Sequence, residues 1–130
     1  MANELTKTEQ GFLATSGNTD LGDIIKPFIR EIHLFDTYVA GVTHLKDKSV
    51  LEEINVDDTL ILRREDNKYD SNAVIIFTEN KKKLGYVPRV DNIIFARLMD
   101  AGKILKAKIN GIDTKGSYTQ IGIGIYLVDI

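Results

Sequence analysis

Cysteine is absent from the 130 residues, which excludes disulfides and thiolate metal centres and fits a reducing compartment. Histidine occurs twice, as His33 and His44, far from the HxxxH spacing of a catalytic zinc site. No run approaches the roughly eighteen apolar residues of a membrane helix. The opening MANELTKTEQ lacks the cationic start and apolar block of a signal peptide, so the expected address is cytoplasmic, with no membrane partner. A Walker-type GxxxxGK is missing, and GIGI at 122–125 sits in an alternating apolar pattern, where glycine marks close backbone approach rather than a phosphate loop. Positive charge is not in excess either. A net charge of −2 excludes a protein that grips duplex along its phosphates, because each neutralised phosphate needs a cation. None of these features implies a cofactor.

What is present is an ordinary globular composition, 43% hydrophobic and 28% charged, enough for one core. Residues 1–30 are polar, with GFLATSGNTD and a short apolar cluster in LGDIIKPFI, and read as a partly ordered extension in which Asp20 caps a turn that Pro27 ends. Residues 31–130 read as the domain. EIHLFDTYVAGVTHL is β-branched and aromatic, with Gly41 marking a bulge or bend. SVLEEINVDD is a short helix or turn, TLILRRE and NAVIIFTE are strands, and NKKK turns the chain into LGYVP. PRVDNIIFARLMDAG places Val90, Ile94 and Leu98 at helical spacing, with Phe95 and Met99 beside them, between an opening Pro88 and a closing Gly102. Leu105, Ala107 and Ile109 alternate with Lys106 and Lys108, and Ile121, Ile123, Ile125 and Leu127 share one face of a last strand. Six short strands, one clear helix and no βαβ alternation predict an α+β domain, mostly β, closed as a small barrel with a helix at one end or face.

The unusual stretch is LRREDNKYDSNAV, residues 62–74, with three cations, three carboxylates, two amides and one tyrosine. Asn67 and Asp70 suit a turn, because their side chains bond backbone N–H groups, but a turn has no use for the ring of Tyr69. Asp66, Asp70 and Asn72 offer oxygens for calcium, yet the full loop pattern needs glycine and glutamate where Ser71 and Phe77 stand. Glu52, Glu53, Asp57 and Asp58 read as solvated surface, and no nucleophile stands beside a base, so the expectation is a protein without catalysis. From Ile61 to Arg89 the cations Arg63, Arg64, Lys68, Lys81, Lys82, Lys83 and Arg89 outnumber Glu65, Asp66, Asp70 and Glu79, so a local positive patch can exist on a mildly acidic protein. Two readings of Tyr69, Asp70 and Asn72 stand side by side: turn chemistry, with the ring folded back over the barrel, or a binding site.

GVTH at 41–44, LRREDNKYDSNAV at 62–74 and LGYVPR at 84–89, followed by a helix, resemble the HIRAN domain, whose centre reads R-x-x-x-N-x-Y-D-x-N-A followed by G-[HY]-x-P-[RK]. The resemblance spans residues 32–130. It implies a modified OB-like barrel of about six strands with one or two helices, and a pocket for the 3′ end of single-stranded DNA, in the service of DNA repair. Carried across residue by residue, it makes Tyr69 a stacking platform, Asp70 the acceptor of the 3′ hydroxyl, Asn72 a loop support or sugar-phosphate contact, and Arg89 a phosphate contact beside Tyr86. Lys68 and Arg64 add cations to the phosphate path. The family pattern has an arginine and an aromatic pair where Thr43, His44 and Leu45 stand, so His44 is the candidate for the second stacking ring. Lys68 replaces the usual proline before Tyr69. Any enzymatic step then belongs to a separate helicase or nuclease. A protein-interaction domain with a structural loop is the second expectation, and a metal-dependent phosphodiesterase the third.

Overall fold

The computed structural model describes residues 29–129. The expectation for an N-terminal extension therefore lies outside the described residues, apart from its last two positions. Residues Glu31–Val128 form one compact unit. Its elements are β1 (Arg30–Tyr38), a 3-10 turn (Val42–His44), α1 (Val50–Glu53), β2 (Thr59–Arg64), β3 (Val74–Thr78), β4 (Lys83–Tyr86), α2 (Asn92–Asp100), β5 (Ile104–Lys115) and β6 (Tyr118–Asp129).

The strands make one sheet in the order β1-β6-β5-β2-β3-β4. Alternation drives it: Leu60 and Leu62 of β2 are buried between outward-facing neighbours, as are Leu105, Ala107 and Ile109 of β5 and Ile121, Ile123 and Ile125 of β6. The antiparallel register sets Leu62 opposite Ile76, Leu60 opposite Ala107, and Ala107 opposite Ile125, so the inward side chains of four strands meet in one core. Burying each large aliphatic side chain contributes roughly 1.5–3 kcal/mol. The expected alternation in β5 and β6 is found, and Gly122 lies against the Asn110 side chain on the facing strand, the close approach anticipated for that glycine.

The sheet curls back on itself at one corner. After β1, the N–H of Val39 donates to the Ile121 carbonyl on β6 at 2.9 Å, while Ala40 and Tyr86 of β4 exchange both backbone hydrogen bonds at 2.8 and 2.9 Å. The two edges of the sheet therefore meet through Ala40, giving a partly open barrel, the small barrel that the pattern predicts in the OB-like form that the family resemblance implies. Gly85 permits the contact, since a Cβ there would collide with the Ala40 carbonyl oxygen and Val39. Gly41 then turns the chain out of the strand with φ +80, so GVTH becomes a 3-10 turn rather than the continued strand that its β-branched residues suggest.

α2 departs from the sequence expectation in its buried face. Val90 is 83% exposed and Ile94 63% exposed, whereas Asn92, Phe95 and Ala96 are buried, and the expected Leu98 packs against the core together with Met99. The helix begins at Asn92, not near Pro88, so Val90 precedes it. The seam runs through 92, 95, 96, 98 and 99, and its first member is polar, which hides its start from a hydrophobic count. That asparagine serves the loop described next.

Candidate functional site

The loop of residues 65–73 is held from inside by its own polar groups. Asn67 Oδ1 accepts the N–H groups of Tyr69 and Asp70 at 2.9 and 2.8 Å, and Asp70 Oδ1 accepts that of Asn72 at 2.9 Å. These are two consecutive Asx turns, which supply the fold of the loop without regular pairing. Arg64 lies beneath it: Nη1 donates to the Ala73 carbonyl at 2.6 Å, Nη2 to the Ser71 carbonyl at 2.8 Å, and Nε to Asp100 of α2 at 2.9 Å. From the other side Arg89 Nη2 donates to the Tyr69 carbonyl at 2.6 Å.

Asp70 ties the loop to α2. Its Oδ2 accepts from Asn92 Nδ2 at 2.7 Å, with Arg89 Nε 3.7 Å away. Asn92 is 3% exposed, and this hydrogen bond is what permits a buried amide at the start of the helix. A second brace runs through Glu65, whose Oε2 accepts from the Tyr86 hydroxyl at 2.9 Å and from Asn67 Nδ2 at 2.8 Å. Lys83 Nζ donates to the Tyr86 hydroxyl at 3.1 Å and lies 4.5 Å from the ring centroid.

With the loop so braced, Tyr69 is thrown outward, 76% exposed. It does not fold back over the barrel, as the turn reading requires. The Lys68 ammonium sits 5.2 Å from its ring centroid. Tyr69, Asp70, Tyr86, Arg89 and His44 line one cavity of about 1060 Å³, whose floor includes Ala40, Gly41, Ala73 and Val87. Three separate stretches of the chain meet there, and the corner pairing of Ala40 with Tyr86 is what brings His44 to the loop.

Lys68 and Asn72 line an adjoining hollow of about 520 Å³ that shares Asn67, Tyr69, Asp70 and Arg89 with this cavity. Thr43 and Arg64 do not line either. Thr43 is an exposed residue of the 3-10 turn, and four N–H donations of Arg64 go to the loop and Asp100, which makes it a scaffold for the site rather than a surface cation. Asp66 is exposed, and among the described residues no three histidine, aspartate or glutamate side chains are grouped to hold a metal ion. Glu65 and Asn92 were not legible as site residues. The one signal for Asn92 was an amide directly ahead of the apolar run of residues 93–96, and Glu65 looked like any member of a charged run.

Comparison with known proteins gives a consistent picture. The model of the HIRAN domain family matches residues 32–127. Among solved structures, a protein from Lactobacillus plantarum superposes with a TM-score of 0.72 at 27% identity, covering 78% of this chain and 99% of that one. The HIRAN domain of human HLTF shares the fold at 15% identity and a TM-score of 0.60, covering 75% of this chain and 78% of that one. No curated protein matches the sequence.

Proposed function

The chain belongs to the HIRAN domain family, known generally as DNA-binding modules, and on that premise we propose that it is a non-catalytic module taking the 3′ hydroxyl end of single-stranded DNA. The observation that carries this reading is the exposed ring of Tyr69 beside the carboxylate of Asp70 in a cavity that Tyr86, His44 and Arg89 complete. Ligand pockets span roughly 300–1,000 Å³, so the space suits a terminal nucleotide with room beyond it. Stacking a base on Tyr69 is worth about 1–3 kcal/mol and is indifferent to base identity. Asp70 retains acceptor capacity beyond its bonds to Asn92 and Asn72, since a carboxylate offers about four lone-pair sites. It accepts from a hydroxyl and repels a phosphate, which selects free ends over phosphorylated or continuing strands. Arg89 keeps donors for the preceding phosphate. In this reading the binding unit is residues 31–130, working in DNA repair in the cytoplasm beside a separate helicase or nuclease.

The test is fluorescence anisotropy with a single strand ending in 3′ hydroxyl, the same strand ending in 3′ phosphate, and a blunt duplex. The first is expected to bind best, and Tyr69→Ala to weaken it by about fivefold to 150-fold, the equivalent of one stacked base. Equal affinity for all three, or a Tyr69→Ala protein that binds as the parent does, overturns the reading.

One observation favours a second reading, a protein-interaction domain: Asn67, Asp70, Arg64 and Arg89 all hold the loop together. There, Tyr69→Ala lowers stability and leaves DNA affinity unmoved. With the ring 76% exposed, the end-binding reading expects the melting temperature of Tyr69→Ala to stay within about 2 °C of the parent, the shift of a substitution worth under roughly 0.5 kcal/mol.

A further inference from the structure

The lysine triplet at 81–83 takes no part in holding a terminal nucleotide, yet it borders a second cavity. That cavity, about 590 Å³, is lined by Leu45, Lys46, Asp47, Val50, Lys82 and Lys83, and it shares Gly41, His44 and Tyr86 with the end pocket. The two cavities are neighbours through those three residues. Leu45 and Val50 are buried and form an apolar floor, while Lys46 and Lys83 are exposed at the rim. The turn between β3 and β4 sets the lysines there: Lys81 takes φ +64, its N–H donates to the Thr78 carbonyl at 2.8 Å, and the Thr78 N–H donates to the Lys82 carbonyl at 2.8 Å. Two carboxylates oppose them. Asp47 bonds the Ser49 hydroxyl, which holds it below the usual carboxylate range, and Glu53 pairs with Lys82 at 2.6 Å, which raises the lysine. The hollow on the far side of Tyr69 holds only Lys68 besides the shared Arg89 as a cation.

We propose that the single strand runs from the end pocket, between His44 and Tyr86, into this lysine groove, so that the protein holds a 3′-terminal stretch of several nucleotides and not one alone. The inference rests on the end-binding reading and extends it. The hydroxyl end lies at Asp70, sugars and bases lie over Leu45 and Val50, and the 5′-ward phosphates meet Lys46, Lys82 and Lys83. Adjacency to the end pocket, through the shared His44 and Tyr86, and the three lysines along its lining select this occupant. A phosphate on Lys82 competes with Glu53, which makes Glu53 a brake on the longer strand and neutral toward the end itself.

The experiment compares a 5′-labelled dinucleotide with an octanucleotide, each ending in 3′ hydroxyl or 3′ phosphate, on the parent, Lys46→Gln/Lys82→Gln and Glu53→Gln proteins, with melting curves to establish that each variant is folded. In the parent the octanucleotide is expected to bind more tightly than the dinucleotide. In the double lysine variant that gain is lost and the slope of log K against log salt falls by about 0.7 for each lysine removed. The preference for 3′ hydroxyl persists in it, since neither lysine lines the end pocket. Glu53→Gln strengthens octanucleotide binding severalfold and leaves the dinucleotide unchanged. An octanucleotide gain and salt slope that survive loss of both lysines overturn the groove proposal. Should the parent fail to distinguish 3′ hydroxyl from 3′ phosphate even on the dinucleotide, the end pocket itself is wrong and the groove proposal falls with it, a failure visible before any lysine is changed.

Discussion

Glu65 shows how one residue that lines neither the end cavity nor its adjoining hollow can brace the loop that lines both. A single oxygen accepts from the Tyr86 hydroxyl and the Asn67 amide, and Asn67 in turn holds the backbone N–H groups of Tyr69 and Asp70. Removing the carboxylate leaves two partly buried donors without an acceptor, each costing up to about 1–3 kcal/mol before water replaces the bond. Glu65→Ala is therefore expected to lower stability in urea by roughly 1–3 kcal/mol and to weaken binding of the 3′ hydroxyl strand. Glu65→Gln, which retains an acceptor oxygen, recovers most of both. Asp66→Ala, its exposed neighbour, serves as control and should change neither. Parent-like stability and binding in Glu65→Ala would show that the loop holds itself through the Asx turns alone. Arg64 and Arg89 make the complementary point: being charged and near the site, they look alike in sequence, but Arg64 is consumed by the Ala73 and Ser71 carbonyls and Asp100, whereas Arg89 gives one bond to Tyr69 and stays exposed beside the cavity.

At the scale of elements, the decisive junction joins the end of β1 to β4. Ala40 and Tyr86 exchange backbone hydrogen bonds only because Gly85 leaves room for the Ala40 carbonyl. Gly85→Ala is expected to cost about 1–3 kcal/mol in overpacking, read as a lower urea midpoint. It should also push Gly41 and His44 away from Tyr86, so that DNA affinity falls even at temperatures where the variant is fully folded. Loss of stability with parent-like affinity would mean that the barrel corner does not set the site. α2 contributes in the same way: its first residue is not part of an apolar stripe but an amide that reaches Asp70, so the helix both closes the core through Phe95 and Ala96 and anchors the loop.

For the molecule as a whole, the net charge of −2 limits how DNA can be held. A protein with few phosphate contacts shows weak salt dependence, about 0.7 in the slope of log K against log salt for each phosphate met on a single strand. Contacts at Arg89 and at two or three groove lysines predict a slope between about −2 and −3 for an octanucleotide, and near −0.7 for a dinucleotide. A slope much steeper than this on the octanucleotide would indicate diffuse attraction to the lysine-rich turn rather than a seated end. The same curled, partly open sheet that buries Ile121, Ile123 and Ile125 brings the loop, the 3-10 turn and the β3–β4 turn to two neighbouring cavities.

Local pattern alone determined the strands with period-two alternation, the approximate place of α2, the bend at Gly41 and the turn character of Asn67 and Asp70, because each depends on neighbours within a few residues. The motif spacing from Tyr69 to Arg89 likewise marked the family and its candidate residues. What only the tertiary structure decided is which of those residues share a cavity. Thr43 and Arg64 fall outside it, His44 falls within it, the buried seam of α2 passes through Asn92 instead of Val90 and Ile94, and Lys82 and Lys83 line a second cavity that adjoins it. These facts arise where the edges of the sheet meet through Ala40 and Tyr86, far apart along the chain, and no local pattern of hydrophobicity or charge encodes which distant backbone atoms will pair.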